Sequence, residues 1–169
     1  QQLWSKVLAN EANAPGMYSR RTVNILADLD KSDAELFVQL CGFCWVIGNG
    51  APLIFDAQAD IYTRNGINFN SLIQLESLGL IQFQTGPGQF TLLKLPKKIT
   101  VSYFERQVEL VFPADYENTI EVGEVLFTRA GQELSRICSS KPVDGFFEYV
   151  YDRWASQSLV PKLGSVTPV

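Results

Sequence analysis

Cys41-Gly42-Phe43-Cys44 has the C-x-x-C spacing of a redox dithiol or of half a zinc site. Structural zinc takes four ligands, and the chain holds three cysteines and no histidine, so Cys138 and a carboxylate would have to complete the set. A thioredoxin-type pair sits at an exposed helix start after a strand, whereas these two lie within the apolar run Leu36 to Ile47. They are expected to pack as small hydrophobes. The missing histidine excludes Ser-His-Asp and Cys-His nucleophile pairs, His-ligated zinc and haem, and the commonest general acid and base. There is no Walker-type loop, no G-x-G-x-x-G, no G-x-S-x-G and no EF-hand loop. Glu105 and Glu109 straddle a turn and read as solvated carboxylates. No catalytic residue, metal ligand or cofactor is therefore assigned, and the expectation is a chain that is not an enzyme.

The elements that must carry these residues are read from apolar spacing and caps. Leu3, Trp4, Val7 and Leu8 predict a helix from Gln1 to Ala12, broken at Pro15-Gly16. Ser19 is placed to cap a second helix beginning at Arg20, and Asp30 or Ser32 a third. The body of that third helix, LFVQLCGFCWVI, is apolar nearly all round and predicts a central buried helix. Arg20 and Arg21 fall in the first turn of the second helix, where the dipole disfavours a cation by about 0.3–1 kcal/mol. One of them is expected to pair with Glu11, Asp28, Asp33 or Glu35, the alternative being an anion or partner contact. Leu53 to Asn68 carries only short candidates. A helix from Phe69 ends at Gly79 in a left-handed cap, Leu80 to Phe83 is a strand, Thr85 to Gln89 a turn, and Phe90 to Leu95 the returning strand. Ile99 to Phe104 and Val108 to Phe112 form a second hairpin, and Ile120 to Phe127 a fifth strand. Gly131 to Cys138 is a short helix, and Pro142 opens a last amphipathic one through Trp154.

Leu3 to Phe37 resembles the opening of a bacterial domain family of unknown function, number 2806. The shared features are Trp4 and Glu11 on the first helix, Pro15-Gly16, Ser19-Arg20-Arg21-Thr22, and Asp33 to Phe37. LIQLESLGLIQF (72–83), GEVLFTRAGQEL (123–134) and the final GFFEYVYDRW are similar too. The resemblance implies a C-terminal module normally preceded by a long Ala/Glu/Lys/Arg-rich helical region, with no activity to carry over. The first three helices are distantly similar to the abortive-infection alpha proteins, which implies a phage-defence role by analogy of pattern. The stretch from Leu72 to Lys94 with LFTRAGQEL looks like a winged-helix domain, and Lys94, Lys97, Lys98 and Arg106 gather near its presumptive wing. Those four are candidate wing contacts to nucleic acid, or a charged edge that discourages strand aggregation.

Charge weighs against the nucleic-acid alternative. The chain of 169 residues has net charge −4, and Asn65 to Gly79, the presumptive recognition helix and its approach, holds Glu76 but no lysine or arginine. With 46% hydrophobic residues the chain can bury a sizeable core without metal or disulfide. Leu36 to Ile47 is too short to span a bilayer, which takes about 20 apolar residues. The odd cysteine count points to a reducing, cytoplasmic setting. A start on Gln1 without a cap, initiator methionine or signal region suggests a piece of a longer protein. The expected fold is α+β: a helical subdomain (1–48), a winged-helix-like part with antiparallel sheet and C-terminal helix (49–158), and a loosely ordered tail (159–169). The expected function is a protein-interaction or regulatory module, with a protein partner or self-association; the alternative is a winged-helix DNA-binding regulator.

Overall fold

A computed structural model describes residues 2–160. In chain order the elements are α1 (Gln2–Asn13), α2 (Arg20–Asp28), α3 (Lys31–Cys41), β1 (Cys44–Ile47), β2 (Asn49–Pro52), α4 (Asp60–Thr63), α5 (Phe69–Ser77), β3 (Ile81–Phe83), β4 (Phe90–Leu95), β5 (Lys98–Tyr103), β6 (Arg106–Val111), β7 (Asn118–Gly123), β8 (Val125–Phe127), α6 (Arg129–Ser135) and α7 (Phe146–Ser156). The fold is α+β with antiparallel sheets and a C-terminal helix, as the sequence indicates.

Helix starts follow the caps. The Ser19 hydroxyl accepts from Thr22 N to open α2. Asp30 accepts from Asp33 N, and Asp33 answers by accepting from Asp30 N, a reciprocal box that opens α3. Asn68 and Ser71 make the same exchange at α5, which Gly79 then closes with φ +79°. The last helix is opened not by Pro142 but by Gly145, at φ 77°.

The predicted central helix is corrected in its second half. It stops at Cys41, and Cys44–Ile47 is strand β1, paired with β2 in a four-stranded sheet of order β2-β1-β5-β6. A short apolar run fits a buried helix or a buried strand equally well by periodicity. What decides here is Trp45, Val46 and Ile47, all strand formers, and Gly48, whose φ of +70° lets Ile47 pair with Asn49 across a very tight turn.

The hairpin predicted across Thr85 to Gln89 does not form. β3 pairs with β8 (Ile81↔Phe127, Phe83↔Val125) and β4 with β7 (Phe90↔Gly123, Leu95↔Asn118), so the chain keeps its direction through the Gly-Pro-Gly segment. Gln84 N donates to Glu124 O at 2.7 Å and carries the ladder across the join. The segment is an irregular insertion in a long strand, not a reversal. Residues 84–124 lie between the two strands β3 and β8, and α6 follows β8 directly.

The core lies between the four-stranded sheet and the helices. Trp45 is fully buried, stacked on Tyr103 and Phe147 with both centroids 5.3 Å away, and meets Trp154 edge-on at 4.8 Å. In the segment that sequence left unassigned, the buried Tyr62 hydroxyl donates to Leu53 O at 2.8 Å and accepts from Phe55 N. Leu159 and Val160, the first residues of the expected tail, pack on the body: Val160 is buried and Leu159 O accepts from Val111 N. The rest of that tail, 161–169, lies outside the described residues. Among the described residues, no helix is long and apolar enough to cross a membrane.

Candidate functional site

Three of the cations singled out in the sequence face carboxylates. Lys97 pairs with Asp115 at 3.0 Å, Lys98 with Glu109 at 3.4 Å and Arg106 with Glu148 at 2.6 Å. The Arg106 guanidinium also lies 3.3 Å from the centroid of the Phe147 ring. Lys94 is exposed at φ 57° and forms no ion pair among the described residues. Arg20 and Arg21 are exposed and unpaired in the same sense. The carboxylates proposed for them are engaged elsewhere in three of four cases. Glu11 accepts from Gly16 N and Tyr18 N, Asp33 from Gln74 Nε2, and Glu35 faces Lys31. The expected pairing of one arginine is thus not made.

Where α3 ends, the structure brings together residues that the sequence holds far apart. Gly42 continues the last helical turn (φ −63°, ψ −18°), and Cys41 and Cys44 lie on either side of it. A side chain at Gly42 would place its Cβ 3.0 Å from Lys141 O, so the turn runs against the segment that follows α6. Tyr103 clamps the two: its hydroxyl donates to Gly42 O at 2.6 Å and accepts from Val143 N at 2.7 Å. Burial pushes the Tyr103 phenol up to about 12, against the opposing bond from Val143 N.

Cys138, in the segment that follows α6, and Cys44 both lie near enough to Cys41 to perturb its thiol. The bond to Cys138 favours the Cys41 thiolate, but the bond to Cys44 and burial outweigh it and hold the thiol well above its usual range. The Cys138 thiol is raised by its bond to Cys41 and then by burial, with the Lys6 ammonium pulling the other way. Lys6 reaches from α1 to donate to Ile137 O at 2.9 Å and to the Ser139 hydroxyl. Cys41 and Cys44, but not Cys138, line a cavity of about 510 Å³ that also holds Asn49, Gln132, Ser135 and Arg136. Among the described residues, no three His, Cys, Asp or Glu side chains are arranged to hold a metal ion. The cysteines do pack as expected for Cys41, which is buried, whereas Cys44 starts a strand and is half-buried. Nothing in the sequence pairs Cys138 with Cys41, because only the tertiary fold brings the segment after α6 against the end of α3.

The second feature is the outward side of α1. Leu3 and Val7 are buried, while Trp4 and Leu8, one turn apart, are 36% and 62% exposed. Ala9 and Ala12 continue that side, also exposed and uncharged. The signal was present in the sequence as two apolar pairs offset by one residue, which a single core-facing stripe does not need.

A family model described as protein of unknown function (DUF2806) matches residues 1–151. No curated protein and no solved structure matches the chain.

Proposed function

The chain belongs to the DUF2806 family, whose function is unknown, and from that premise we propose that it is a non-catalytic protein-interaction or regulatory module of a larger bacterial protein, working by self-association through the outer side of α1. The observation that carries this is the exposed, uncharged surface of Trp4, Leu8, Ala9 and Ala12. Large residues lie in its first half and small ones in its second. An antiparallel two-fold pairing sets Leu8 against Leu8 and Trp4 against Ala12 of a second copy, so the same patch serves both sides, as an isologous contact requires. Phe69 and Ile73 on α5 are also exposed, but the Phe69 ring is already held edge-on by Phe83 at 5.5 Å.

A twelve-residue helix offers a face about 18 Å long. That is small beside the roughly 800 Å² per partner of a standard interface, so the pairing is weak and concentration-dependent. Sedimentation equilibrium over micromolar to near-millimolar chain is expected to show an average mass climbing from monomer towards dimer. L8E should hold the mass at monomer throughout with an unchanged far-UV circular dichroism spectrum, because Leu8 contributes nothing to the core. A wild-type mass that stays constant across the series rejects the proposal.

The DNA-binding alternative draws support from the order α5, β3, β8, α6, but three of its four candidate cations already face carboxylates. Tight duplex binding that weakens steeply with salt would favour it.

A further inference from the structure

We propose that Cys41 and Cys44 form an exchange-active dithiol, and that their cavity receives a low-molecular-weight disulfide bearing carboxylates. Gly42 N and Phe43 N donate back to Gln39 O and Leu40 O, so only a tight turn separates Cys41 at the end of α3 from Cys44 at the start of β1, and disulfides bridge Cα separations of about 4.4–6.8 Å. That turn keeps the two cysteines close in space, and Cys44 Sγ lies 4.0 Å from Leu40 O, back beside the last turn of α3. Both line the cavity of about 510 Å³, large enough for a small peptide-like thiol, and its polar wall of Asn49, Gln132 and Ser135 suits amide groups. Arg136 is exposed at that wall and has no ion pair among the described residues, which leaves its guanidinium to a ligand carboxylate.

The order of events follows from access. Cys44 is half-buried and Cys41 buried, so the external disulfide meets Cys44 first. The Cys44 thiol loses its proton to solvent, its sulfur bonds to one sulfur of the ligand, and the ligand S–S bond breaks. The first external thiol leaves as thiolate and takes up a proton. Cys41 then gives up its proton and attacks the Cys44 sulfur, expelling the second external thiol. Two cysteine thiols are oxidised to one disulfide, and one external disulfide is reduced to two thiols. Cys138 does not line the cavity and takes no part in either step.

The test treats the full chain with oxidised glutathione and maps the products by mass spectrometry under non-reducing digestion. The expected result is a Cys41–Cys44 linkage in the folded wild type and in C138S. C41S should stop at a mixed disulfide on Cys44, and C44S should give neither product in the same time. R136A should react several-fold more slowly with oxidised glutathione yet as fast as wild type with the neutral hydroxyethyl disulfide. The wild-type map needs no variant to fold, so a buried-site substitution that fails leaves the result intact. A linkage that includes Cys138 overturns the proposal, as do three thiols that stay free in the folded chain while denatured chain reacts at all three. Equal slowing of R136A with both reagents would remove the carboxylate from the assignment.

Discussion

Glu133 on α6 joins its own helix to the start of α2: its carboxylate accepts from the Thr22 hydroxyl, from Ser19 N at 3.1 Å and from Arg129 Nε, one turn back on α6, at 2.9 Å. Burial on its own would raise its pKa, but the bonds from Thr22, Arg129 and Ser19 N prevail and lower it. A lowered carboxylate contributes stability that is fully present above its unfolded value of about 4.3 and is lost as pH falls through the folded value. E133Q should therefore cost about 1–3 kcal/mol near neutrality, with a chemical denaturation series from pH 6 to 3 flatter than wild type. Tyr103 runs the other way, since its raised phenol gives stability that is present below pH 10 and lost as pH climbs towards about 12. Y103F should weaken the fold by about 1–3 kcal/mol at pH 7 through the orphaned Gly42 O and Val143 N. The same variant should loosen Cys138 from Cys41, read as faster alkylation of Cys138 by a maleimide.

Between elements, backbone proximity sets the strictest limits. A Cβ at Gly131 would stand 2.0 Å from Leu80 O and 2.9 Å from the Phe127 ring, so α6 can lie across β3 and β8 only with glycine there. G131A should lose about 3 kcal/mol or more in denaturant melts, because the clash is with backbone and no rotamer relieves it. By contrast N68A, which removes only the α5 cap, should cost about 1 kcal/mol. The caps at Ser19, Asp30 and Asn68 act within one turn and were legible from residue type alone for the first two. The pairing of β3 with β8 and β4 with β7 was not, since Gly86-Pro87-Gly88 carries the chemistry of a reversal. Partner choice depends on the strand that arrives forty residues later. The same reason hid the split of the Leu36–Ile47 run, where tertiary pairing with β2 and β5 overrides a helical pattern.

At the scale of the whole molecule, charge and apolar surface are divided. All six ion pairs among the described residues have at least one well-exposed member, and exposed pairs are worth roughly 0–1 kcal/mol each. Raising salt to molar levels should therefore shift the melting temperature by only a few degrees while strengthening any association through α1, a contrast that calorimetry and sedimentation at matched salt would measure. The α+β class and most element positions were readable from apolar spacing. The sites were less so, because the thiol cluster and the unpaired arginines depend on which distant segments meet. The segment 84–124, lodged between two strands that must find each other, has one more consequence. Closing so wide a loop before any β3–β8 bond can form puts the slow, entropy-limited step of self-assembly late, after β5 and β6 have zipped locally. A nascent chain released before Val125 would carry α5 and β3 with that edge unmatched, the interval in which chaperone capture or clumping would be decided.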